Sequence, residues 1–402
     1  MNILFLSQFF DPEGSPFGLK FAKAMIARGH YVEVLTGFPN YPGGKVYSGY
    51  RIRMRQIEIM DGIRVVRVPL FPSHDRSTIR RILNYMSFGL AAATIGQFGF
   101  KKPDIVFGYN LPTLGMAAGL FRLLRGCKIA YTIQDLWPES VSDSGMMNNR
   151  LLNTILCWRC NRFYRKANGL TALSPGFKEN LIGKGVKPEK IEVLYNWCHE
   201  REIGEVIPPR SRKIDEPFVV LFAGNMGKMQ GIDAILEAAH ILQRQNRNIL
   251  IRLLGRGIEI NRLKQRSEEL QLTNVEFVPN VPLNKVRFEF EKADVLLVHL
   301  IAKKIFEITI PSKIQTYLYA GKPILCGVRG DAADLVTRAG AGIPFEPENP
   351  QSLVDVILQM AAMSSEELSQ MGKSGHDFYM ENLQFEKAMD QLNTFFHKIT
   401  AR

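Results

Sequence analysis

A short helix that begins with a cation is predicted in the stretch TIPSKIQTYLYAGKPIL, residues 309–325. Ser312 and Gln315 have the spacing of a capping box, with Ser312 at the N-cap and Gln315 at the third helical position. Lys313 is then the first helical residue, and Gly321 supplies the left-handed residue that commonly ends a helix. Because a helix N-terminus offers free N–H groups and partial positive charge, this stretch predicts a site for a diphosphate.

Two further strand ends offer groups that bind phosphates or bases. The loop FAGNMGKMQG, residues 222–231, places Gly227 and Lys228 before a helix, where glycines let the backbone approach a phosphate. The next strand ends in LLGRGIEI, where the guanidinium of Arg256 could stack on a base. The loop does not have the spacing of a Walker motif, so a P-loop nucleotide-hydrolysing fold is not indicated.

A third glycine loop follows the first strand of the chain, in SQFFDPEGSPFG, residues 7–18. Gly14 and Ser15 stand just before a predicted helix and could form an anion-binding nest. The spacing differs from the dinucleotide fingerprint, so a nicotinamide cofactor is not supported. Glu13 beside this nest could contact the hydroxyl group of a second substrate.

Short apolar runs alternate with amphipathic stretches along both halves of the chain, which predicts parallel strands with crossover helices. One hairpin interrupts this order, with Asp61 and Gly62 as a two-residue turn. A polar, proline-containing segment at 200–217 is typical of a linker. We therefore expect two doubly wound α/β domains with the binding site in a cleft between them. The predicted helices are 17–29, 82–100, 112–125, 150–167, 231–245, 258–271, 284–292, 313–320 and 376–397.

The charge of the chain is unevenly distributed. Residues 1–200 contain 26 Lys and Arg against 14 Asp and Glu, whereas residues 201–402 contain 25 of each. This asymmetry predicts that the first half faces an anionic membrane surface or substrate. A nucleic acid is not favoured as a partner, because no aromatic–basic recognition motif accompanies the charge. The expected membrane contact is 76–102, with five cations and two aromatic rings: Arg76, Arg80, Arg81, Lys101, Lys102, Phe98 and Phe100, with the row Arg51, Arg53 and Arg55 beside it.

Five cysteines in a chain of 402 residues do not indicate a disulfide framework. The lone CxxC of Cys157 and Cys160 lacks the second ligand pair of a zinc site, so partly buried thiols are expected. The N-terminus lacks the features of a signal peptide, and 82–100 carries too many polar residues for a clear membrane span. These observations favour a cytoplasmic protein that attaches peripherally to the inner face of the membrane.

Read together, these motifs resemble the family-four retaining glycosyltransferases of the GT-B fold over nearly the whole chain. The resemblance is carried by QFFDPEGSP, QDLWPES, LSPGFKENL, FAGNMGKMQGIDAILEAA and IPSKIQTYLYAGKPIL, which follow in family order. It is closest to the bacterial surface-polysaccharide branch that resembles N-acetylfucosaminyl (fucosamine) transferases.

The resemblance implies an N-terminal acceptor domain at 1–200 and a C-terminal donor domain at 201–375. It also implies a final helix within 376–402 that packs back on the N-terminal domain. A UDP-sugar is the expected donor and substrate, a saccharide linked to a lipid diphosphate is the acceptor, and no cofactor or metal is needed. The chain contains no Asp-x-Asp motif, in agreement with the last point. The predicted donor-binding residues are Gly14, Ser15, Gly227, Lys228, Gln230, Arg256, Val281, Ser312, Lys313, Gln315 and Thr316.

The chain departs from the family pattern at several positions. The two glutamates usually found eight positions apart fall at Ile308 and Thr316, so Glu307 is the candidate replacement for the glutamate that contacts the sugar. Gln134 stands where a histidine usually precedes the aspartate of the QDLWPES motif. The basic residues usual in the second glycine loop fall at Asn225 and Gln230, so Lys228 and Lys313 should carry the phosphate charge. The predicted catalytic residues are Glu13, Asp135, Glu139 and Glu307.

Two other functions are compatible with the sequence. A UDP-sugar 2-epimerase uses a similar pair of domains, although it has no second substrate for the basic half to bind. A non-catalytic sugar-nucleotide-binding protein would explain the missing pair of glutamates. A turnover assay distinguishes this non-catalytic protein from a transferase.

Overall fold

The computed structural model describes residues 1–73, 78–109, 112–137, 150–210, 212–213 and 215–401. The chain divides into two compact units, Met1–Leu194 with Met389–Arg402, and Tyr195–Ala388. The segment predicted as a linker therefore belongs to the second unit. Within it, the N–H of Ile207 donates to the carbonyl of Ala320 at 2.9 Å.

The first unit contains an eight-stranded sheet in the order β3-β4-β2-β1-β5-β6-β7-β8. All neighbouring strands are parallel except β3 and β4. The parallel strands are almost wholly buried, as expected when helices cover both faces. The elements are β1 (Asn2–Leu6), α1 (Leu19–Ala27), β2 (Tyr31–Gly37), β3 (Gln56–Met60), β4 (Ile63–Val68), α2 (Thr78–Ala93), β5 (Ile105–Tyr109), α3 (Leu114–Arg125), β6 (Lys128–Ile133), α4 (Arg150–Lys166), β7 (Gly169–Ala172), α5 (Pro175–Gly183) and β8 (Ile191–Val193).

The predicted hairpin is the antiparallel pair β3 and β4. Asp61 and Gly62 form its two-residue turn, with φ values of 49° and 82°. Positive φ at both central positions is the requirement of a type I′ turn, whose twist matches that of the strands. This local prediction is confirmed.

The second unit contains six parallel strands in the order β11-β10-β9-β12-β13-β14. The apolar runs of this half that predict strands all form strands, and the sequence pattern missed only the short edge strand β14. These runs are FVVLFAG, ILIRLLG, VEFVP, DVLLVHL and PILCGV. The elements are α6 (Glu200–Ile203), β9 (Phe218–Asn225), α7 (Ile232–Arg244), β10 (Ile249–Arg256), α8 (Ile260–Glu269), β11 (Val275–Pro279), α9 (Leu283–Glu291), β12 (Val295–His299), α10 (Lys304–Glu307), α11 (Ser312–Ala320), β13 (Ile324–Gly327), α12 (Asp331–Arg338), β14 (Gly342–Pro344), α13 (Pro350–Ala361), α14 (Ser365–Asn382) and α15 (Phe385–Thr400).

The helix predicted over 82–100 is shorter than expected. α2 ends at Ala93, and a single 3-10 turn follows at Ile95–Gln97. Gly99 then adopts a left-handed φ of 74°, which a helix does not accommodate. As a result Phe100 turns inward and is 8% exposed, so it is not the membrane contact that the sequence suggested.

The helix predicted over 376–397 is in fact two helices, α14 and α15. The break occurs at Leu383, which is fully buried in the core of the second unit. Beyond Met389, α15 packs against the first sheet, where the Phe396 and Phe107 rings are 5.0 Å apart. The boundary between the units therefore falls inside α15.

Candidate active site

The carboxyl ends of β9 and β10 bring two glycines side by side. Gly224 pairs with Gly255, one residue before Asn225 and Arg256 end their strands. The two glycines have φ values of 140° and 144°, a region that side chains rarely adopt. A Cβ on Gly255 would collide with the carbonyl of Gly224. Neither position therefore accommodates a side chain of its own, which leaves the backbone here open to close approach.

The glycine loop after β9 is shaped by one of its predicted donor contacts. Oε1 of Gln230 accepts from the N–H of Gly227 at 3.0 Å and from Nδ2 of Asn225 at 3.3 Å. The side-chain oxygen of Gln230 is thus already hydrogen-bonded within the loop. Lys228 is exposed and, among the described residues, has no recorded ion pair, so its ammonium group is available to a ligand.

A buried histidine, His299, holds this loop in place, and it was not among the predicted site residues. The ring of His299, at the end of β12, is 1% exposed. Its Nδ1 lies 2.8 Å from the carbonyl of Gln230, and its Nε2 lies 2.9 Å from the N–H of Glu348. Nδ1 therefore donates and Nε2 accepts, which defines a neutral ring. Burial lowers the pKa of His299, in agreement with this neutral state.

The N-terminus of α11 is uncapped, contrary to the predicted capping box. Pro311 occupies the N-cap position, Ser312 is the first helical residue, and no side chain among the described residues caps the helix. The Gln315 amide, oriented to satisfy its hydrogen bonds, donates to the carbonyls of Pro311 at 3.0 Å and Ser312 at 3.2 Å. The Thr316 hydroxyl donates to the Ser312 carbonyl at 3.3 Å. Both side chains are used on carbonyl groups, so the first N–H groups of the helix stay open.

Lys313, in the first turn of α11, has a buried ammonium group without an anionic partner. Within the described part of the chain, its Nζ has no hydrogen-bond partner. The Nζ lies over the ring of Phe222, 3.4 Å from the ring centroid. Gly224 makes room for the side chain, because a Cβ there would lie 2.8 Å from the Lys313 Cε. Burial without a counter-charge lowers the pKa of Lys313 to about 7.

The remaining residues predicted for the second unit occupy different surroundings. Arg256 and Ser312 are exposed, and Val281 packs against the core cluster of this unit. Glu307 ends α10, and its backbone lies against Gly330, where a Cβ would collide with the Glu307 carbonyl. Its carboxylate is close enough to raise the pKa of Arg329, behind the larger effect of Glu346.

Glu13 in the first unit is a structural carboxylate. It is 1% exposed, and its Oε1 accepts from the N–H groups of Asn40 at 2.6 Å and Tyr41 at 2.7 Å. Its Oε2 lies 3.4 Å from the N–H of Phe10. Burial raises the pKa of Glu13 despite these bonds. This geometry favours a role in joining the loops after β1 and β2 over the predicted contact with a substrate hydroxyl.

Three polar side chains lie at or after the carboxyl ends of β1, β5 and β6: Ser15, Tyr109 and Asp135. Burial raises the pKa of Tyr109 well above the usual value, with the charge of Asp135 adding to the effect. Two of these residues were predicted, and Tyr109 was missed although it is the last residue of β5. Glu139, the remaining predicted carboxylate, lies outside the described residues.

The predicted anion nest near Gly14 is partly filled by the protein itself. The first N–H of α1, on Leu19, donates to the carboxylate of Asp11 at 2.6 Å. Gly18 is required next to this contact, because a Cβ there would collide with Asp11. Gly14 is exposed with open space around it. The mouth of α1 is therefore closed by a protein carboxylate.

Metal ligands do not cluster in the described residues, where no group of three or more His, Cys, Asp or Glu side chains could hold an ion. Cys157 is half-buried and Cys160 is buried, and none of the five cysteines, all of which lie in the described residues, forms a disulfide. The prediction of partly buried thiols at the CxxC is confirmed. Over the described ranges, no helix is both long and apolar enough to cross a bilayer.

Solved structures define the class of the fold. HepE from Anabaena, solved with UDP, matches with a TM-score of 0.68 and 14% identity, covering 99% of this chain and 100% of HepE. Sucrose-phosphate synthase from Thermosynechococcus elongatus also matches with a TM-score of 0.68, at 15% identity and over the full length of both chains. The protein has the GT-B fold of two Rossmann-like domains, and the predicted fold class is confirmed.

Sequence comparisons define the family. The family described as "Glycosyl transferase 4-like domain" matches residues 19–197, and "Glycosyl transferases group 1" matches residues 205–378. WcaI from Escherichia coli K12, provisionally named a colanic acid biosynthesis glycosyl transferase, is 25% identical over 386 residues, 89% of this chain and 92% of WcaI. The probable glycosyltransferase WbjE from Pseudomonas aeruginosa is 26% identical over 302 residues, 71% of this chain and 74% of WbjE. The chain belongs to the family-four glycosyltransferases.

Proposed function

We propose that the protein transfers a hexosyl group from a UDP-sugar to a saccharide linked to a lipid diphosphate, with retention of anomeric configuration, in the synthesis of a bacterial surface polysaccharide. The observation that carries the donor part is the buried, unpaired ammonium group of Lys313 at the open N-terminus of α11. A diphosphate supplies the missing negative charge, and its oxygens accept hydrogen bonds from the free N–H groups of the helix. The related fold of HepE was solved with UDP, which supports this choice of nucleotide.

The second unit offers enough positive groups to hold the diphosphate without a metal. Lys313 and the first turn of α11 face one side of the expected ligand, and Lys228 supplies a second ammonium group on the glycine loop. The N–H of Gly227 is already donated to Gln230, so Gly227 contributes close backbone approach and not a hydrogen bond. Arg256 extends from the neighbouring strand end, and we assign it to stacking on the base. We therefore expect transfer to continue in excess EDTA, and a strict need for Mg²⁺ or Mn²⁺ would contradict this assignment.

The chemistry assigned to the site is one exchange of glycosidic bonds. The bond between the anomeric carbon and the β-phosphate oxygen breaks, and a bond from the anomeric carbon to the acceptor oxygen forms on the same face. The departing diphosphate accepts the proton of the acceptor hydroxyl. The protein supplies orientation and stabilises the negative charge that develops on the diphosphate. Loss of one such charged contact is expected to cost roughly 2–4 kcal/mol in the transition state.

The sugar that we propose is an N-acetylated deoxyhexosamine such as L-FucNAc. This choice rests on the resemblance to the fucosamine-transferase branch. The names of WcaI and of a lipopolysaccharide 1,6-galactosyltransferase from Salmonella typhimurium, 27% identical over 99 residues, support the broader class of surface polysaccharides. Glu307 is the proposed sugar contact.

The acceptor is assigned to the first unit, which carries the whole charge excess of the chain. Ser15, Tyr109 and Asp135 supply hydroxyl and carboxylate groups at the carboxyl end of its sheet. Such groups bind the hydroxyls of a saccharide. The excess positive charge suits the diphosphate of a lipid-linked acceptor and the anionic leaflet that holds it.

The outer face of α2 is the proposed membrane contact. Five apolar side chains at helical spacing are exposed there, from 43% for Ile82 to 71% for Ile79, while Phe88 on the opposite face is buried. Arg80 lies beside this stripe and is exposed. An apolar stripe with adjacent cations is typical of helices that lie in the membrane interface. The exposed stripe consists of Ile79, Ile82, Leu83, Met86 and Leu90.

The neighbouring helices continue the same layer. α2 crosses α3 where a Cβ on Gly89 would lie 2.8 Å from the carbonyl of Thr113, and α3 meets α4 where Gly115 faces the Phe163 ring. Leu123 on α3 is 78% exposed. The layer therefore offers a broad apolar and basic surface. Phe98, 68% exposed, remains a candidate contact, whereas Arg76 lies outside the described residues.

The function is tested by mass spectrometry of the products from a panel of UDP-sugars with undecaprenyl-diphosphate-linked acceptors. We expect a product heavier than the acceptor by one glycosyl group, with one UDP released for each product. A changed donor sugar with no new glycosidic bond would indicate a 2-epimerase. Tight UDP binding without turnover for any donor would indicate a non-catalytic sugar-nucleotide-binding protein.

The membrane contact is tested by sedimentation with phosphatidylglycerol vesicles. Binding should weaken as salt rises, because each basic residue near the leaflet contributes about 1 kcal/mol over a Debye length of roughly 8–10 Å. The double variant Leu83→Glu/Leu90→Glu should lose binding while keeping UDP affinity. Ile258→Glu, at a site 79% exposed in the second unit, is the matched control. A wild-type protein that ignores these vesicles at low salt would exclude an anionic membrane surface as partner.

A further inference from the structure

A cavity of about 220 Å³ lies at the amino edge of the second sheet, opposite the strand ends that form the candidate active site. Asp294 precedes β12 and Pro323 precedes β13, and both line the cavity. Strands of a parallel sheet place their amino ends at one edge and their carboxyl ends at the other. The cavity is therefore separate from the proposed donor site.

The walls of the cavity carry four cationic side chains and one carboxylate. The carboxylate, Asp294, is already neutralised within the protein. Its Oδ2 accepts from Nη1 of Arg210 at 2.9 Å and from the N–H of Val219 at 2.7 Å. The three remaining cations, Arg212, Lys322 and Lys373, have no ion pair recorded with any described residue. The cavity thus has a net positive charge.

Lys322 is the innermost of these cations. The residue is 2% exposed, and the hydrogen bond recorded for its Nζ goes to the carbonyl of Ala293 at 2.9 Å. An ammonium group has three donors, so this partner satisfies only part of its capacity. Burial lowers the pKa of Lys322 to about 8, and the charges of Asp294 and Glu291 oppose this effect only in part.

The other wall residues indicate what kind of anion fits. Arg212 and Lys373 are exposed, and Ser365 and Ser369 add hydroxyl groups from the first turns of α14. Arg and Ser side chains are typical partners of phosphate oxygens. Ile207 and Leu368 are among the apolar wall residues, which suit an organic group attached to the phosphate.

We propose that this cavity is a second anion-binding site, distinct from the donor site, that takes a phosphate group. The phosphate oxygens contact Lys322, Arg212 and Lys373. The source is either inorganic phosphate or a small phosphate monoester, because both carry the same charged group.

The proposal is tested by calorimetric titration of the whole protein with inorganic phosphate and with phenyl phosphate, both at saturating UDP. UDP occupies the donor site, so any remaining saturable binding reports on another site. Equal affinity for the two probes would identify inorganic phosphate as the natural class of ligand. Tighter binding of phenyl phosphate would identify an organic monoester whose apolar part contacts the cavity wall.

The variants are chosen at exposed positions so that folding is preserved. Arg212→Gln/Lys373→Gln should weaken phosphate binding by about fivefold or more, through the loss of two charges. Arg247→Gln/Lys285→Gln, a pair of exposed cations elsewhere in the same unit, should leave it unchanged. The proposal is overturned if UDP-saturated protein shows no saturable binding, or if both double variants bind phosphate like the wild type. These outcomes leave the proposed transferase activity untouched, because product formation is measured separately.

Discussion

The N-termini of α1 and α11 both carry backbone N–H groups that can bind an anion, but the protein supplies its own carboxylate only at α1, as far as the described residues show. In the first unit, the carboxylate of Asp11 accepts the first N–H of α1 at 2.6 Å. In the second unit, Pro311 stands at the N-cap of α11 and the Gln315 and Thr316 side chains turn to carbonyl groups. One helix mouth is closed by the protein's own anion, whereas the other stays open.

The capped end of α1 contributes to the stability of the fold, whereas the uncapped end of α11 can bind a ligand. A capped helix end satisfies its own backbone and adds to the stability of the fold. An uncapped helix end beside a buried cation is stabilised by negative charge, which a ligand can supply. A glycine-rich loop precedes α1, whereas residues 300–311 before α11 contain no glycine. A glycine-rich sequence before a helix therefore does not by itself mark the open helix end.

The largest expected effect is the loss of the buried cation at the open helix. Lys313→Met removes the charge but keeps most of the side-chain volume over the Phe222 ring. UDP affinity should fall by at least about tenfold, or ~1.4 kcal/mol, measured by calorimetry. Lys285→Met, at an exposed lysine of the same unit, is the control. Equal UDP affinity in both variants would remove Lys313 from the donor site.

The next effect is a pH dependence of UDP binding that belongs to the open helix alone. Burial lowers the pKa of free Lys313 to about 7, and a bound diphosphate raises it again. The complex therefore holds more protons than the free protein, so UDP affinity should fall as pH rises above about 7, by up to tenfold per pH unit. Lys313→Met should lose this slope in calorimetric titrations between neutral and alkaline pH. A wild-type affinity that is flat over that range would contradict a diphosphate next to Lys313.

At the closed helix, the expected effect is on stability and not on binding. Asp11→Ala removes the acceptor of the Leu19 N–H and should lower the free energy of unfolding by about 1 kcal/mol. Denaturant unfolding measures the loss, and calorimetry should show unchanged UDP affinity. A variant with normal stability and weaker UDP binding would reverse the assignment of the two helix mouths.

The smallest expected effect concerns the exposed cation on the glycine loop. Lys228 is open to solvent, so its attraction to a phosphate is screened far more than that of the buried Lys313. Lys228→Gln should weaken UDP binding by roughly twofold to fivefold, corresponding to a contribution below ~1 kcal/mol. The effect should shrink further in high salt. A loss as large as that of Lys313→Met would show that the loop closes over the ligand and buries Lys228.

The sequence predicted the central strands well because they are buried on both faces, and the run YVEVLTG at 31–37 matches β2 residue for residue. The run VEFVP at 275–279 matches β11 as closely, although this edge strand is only partly buried. Helix ends were less predictable. Residues 82–100 are mostly apolar, yet the helix ends inside that run at Ala93, before Gly99 adopts its left-handed φ. The short strands β7, β8 and β14 contain too few residues to show a pattern.

The candidate site was predictable in its cation but not in the surroundings of that cation. Lys313 was identified from its place at a helix start, and its burial against Phe222 depends on a contact across the fold. The capping box failed because Pro311 takes the N-cap position that the pattern gives to Ser312. Glu13 appeared available to a substrate, yet its partners are backbone N–H groups of a loop nearly thirty residues away.

The buried ring of His299 restricts substitution at two neighbouring glycines, Gly231 and Gly327. A Cβ on Gly231 would lie 2.8 Å from the Cε1 of His299, and a Cβ on Gly327 would lie 2.6 Å from its Cδ2. A smaller side chain at position 299 would not remove the restriction, because a Cβ on Gly327 would also collide with the Phe345 ring, and Gly231 has a left-handed φ of 57°. Such a replacement would also release the carbonyl of Gln230 and the N–H of Glu348. Descendants of this chain should therefore retain both glycines together with the ring.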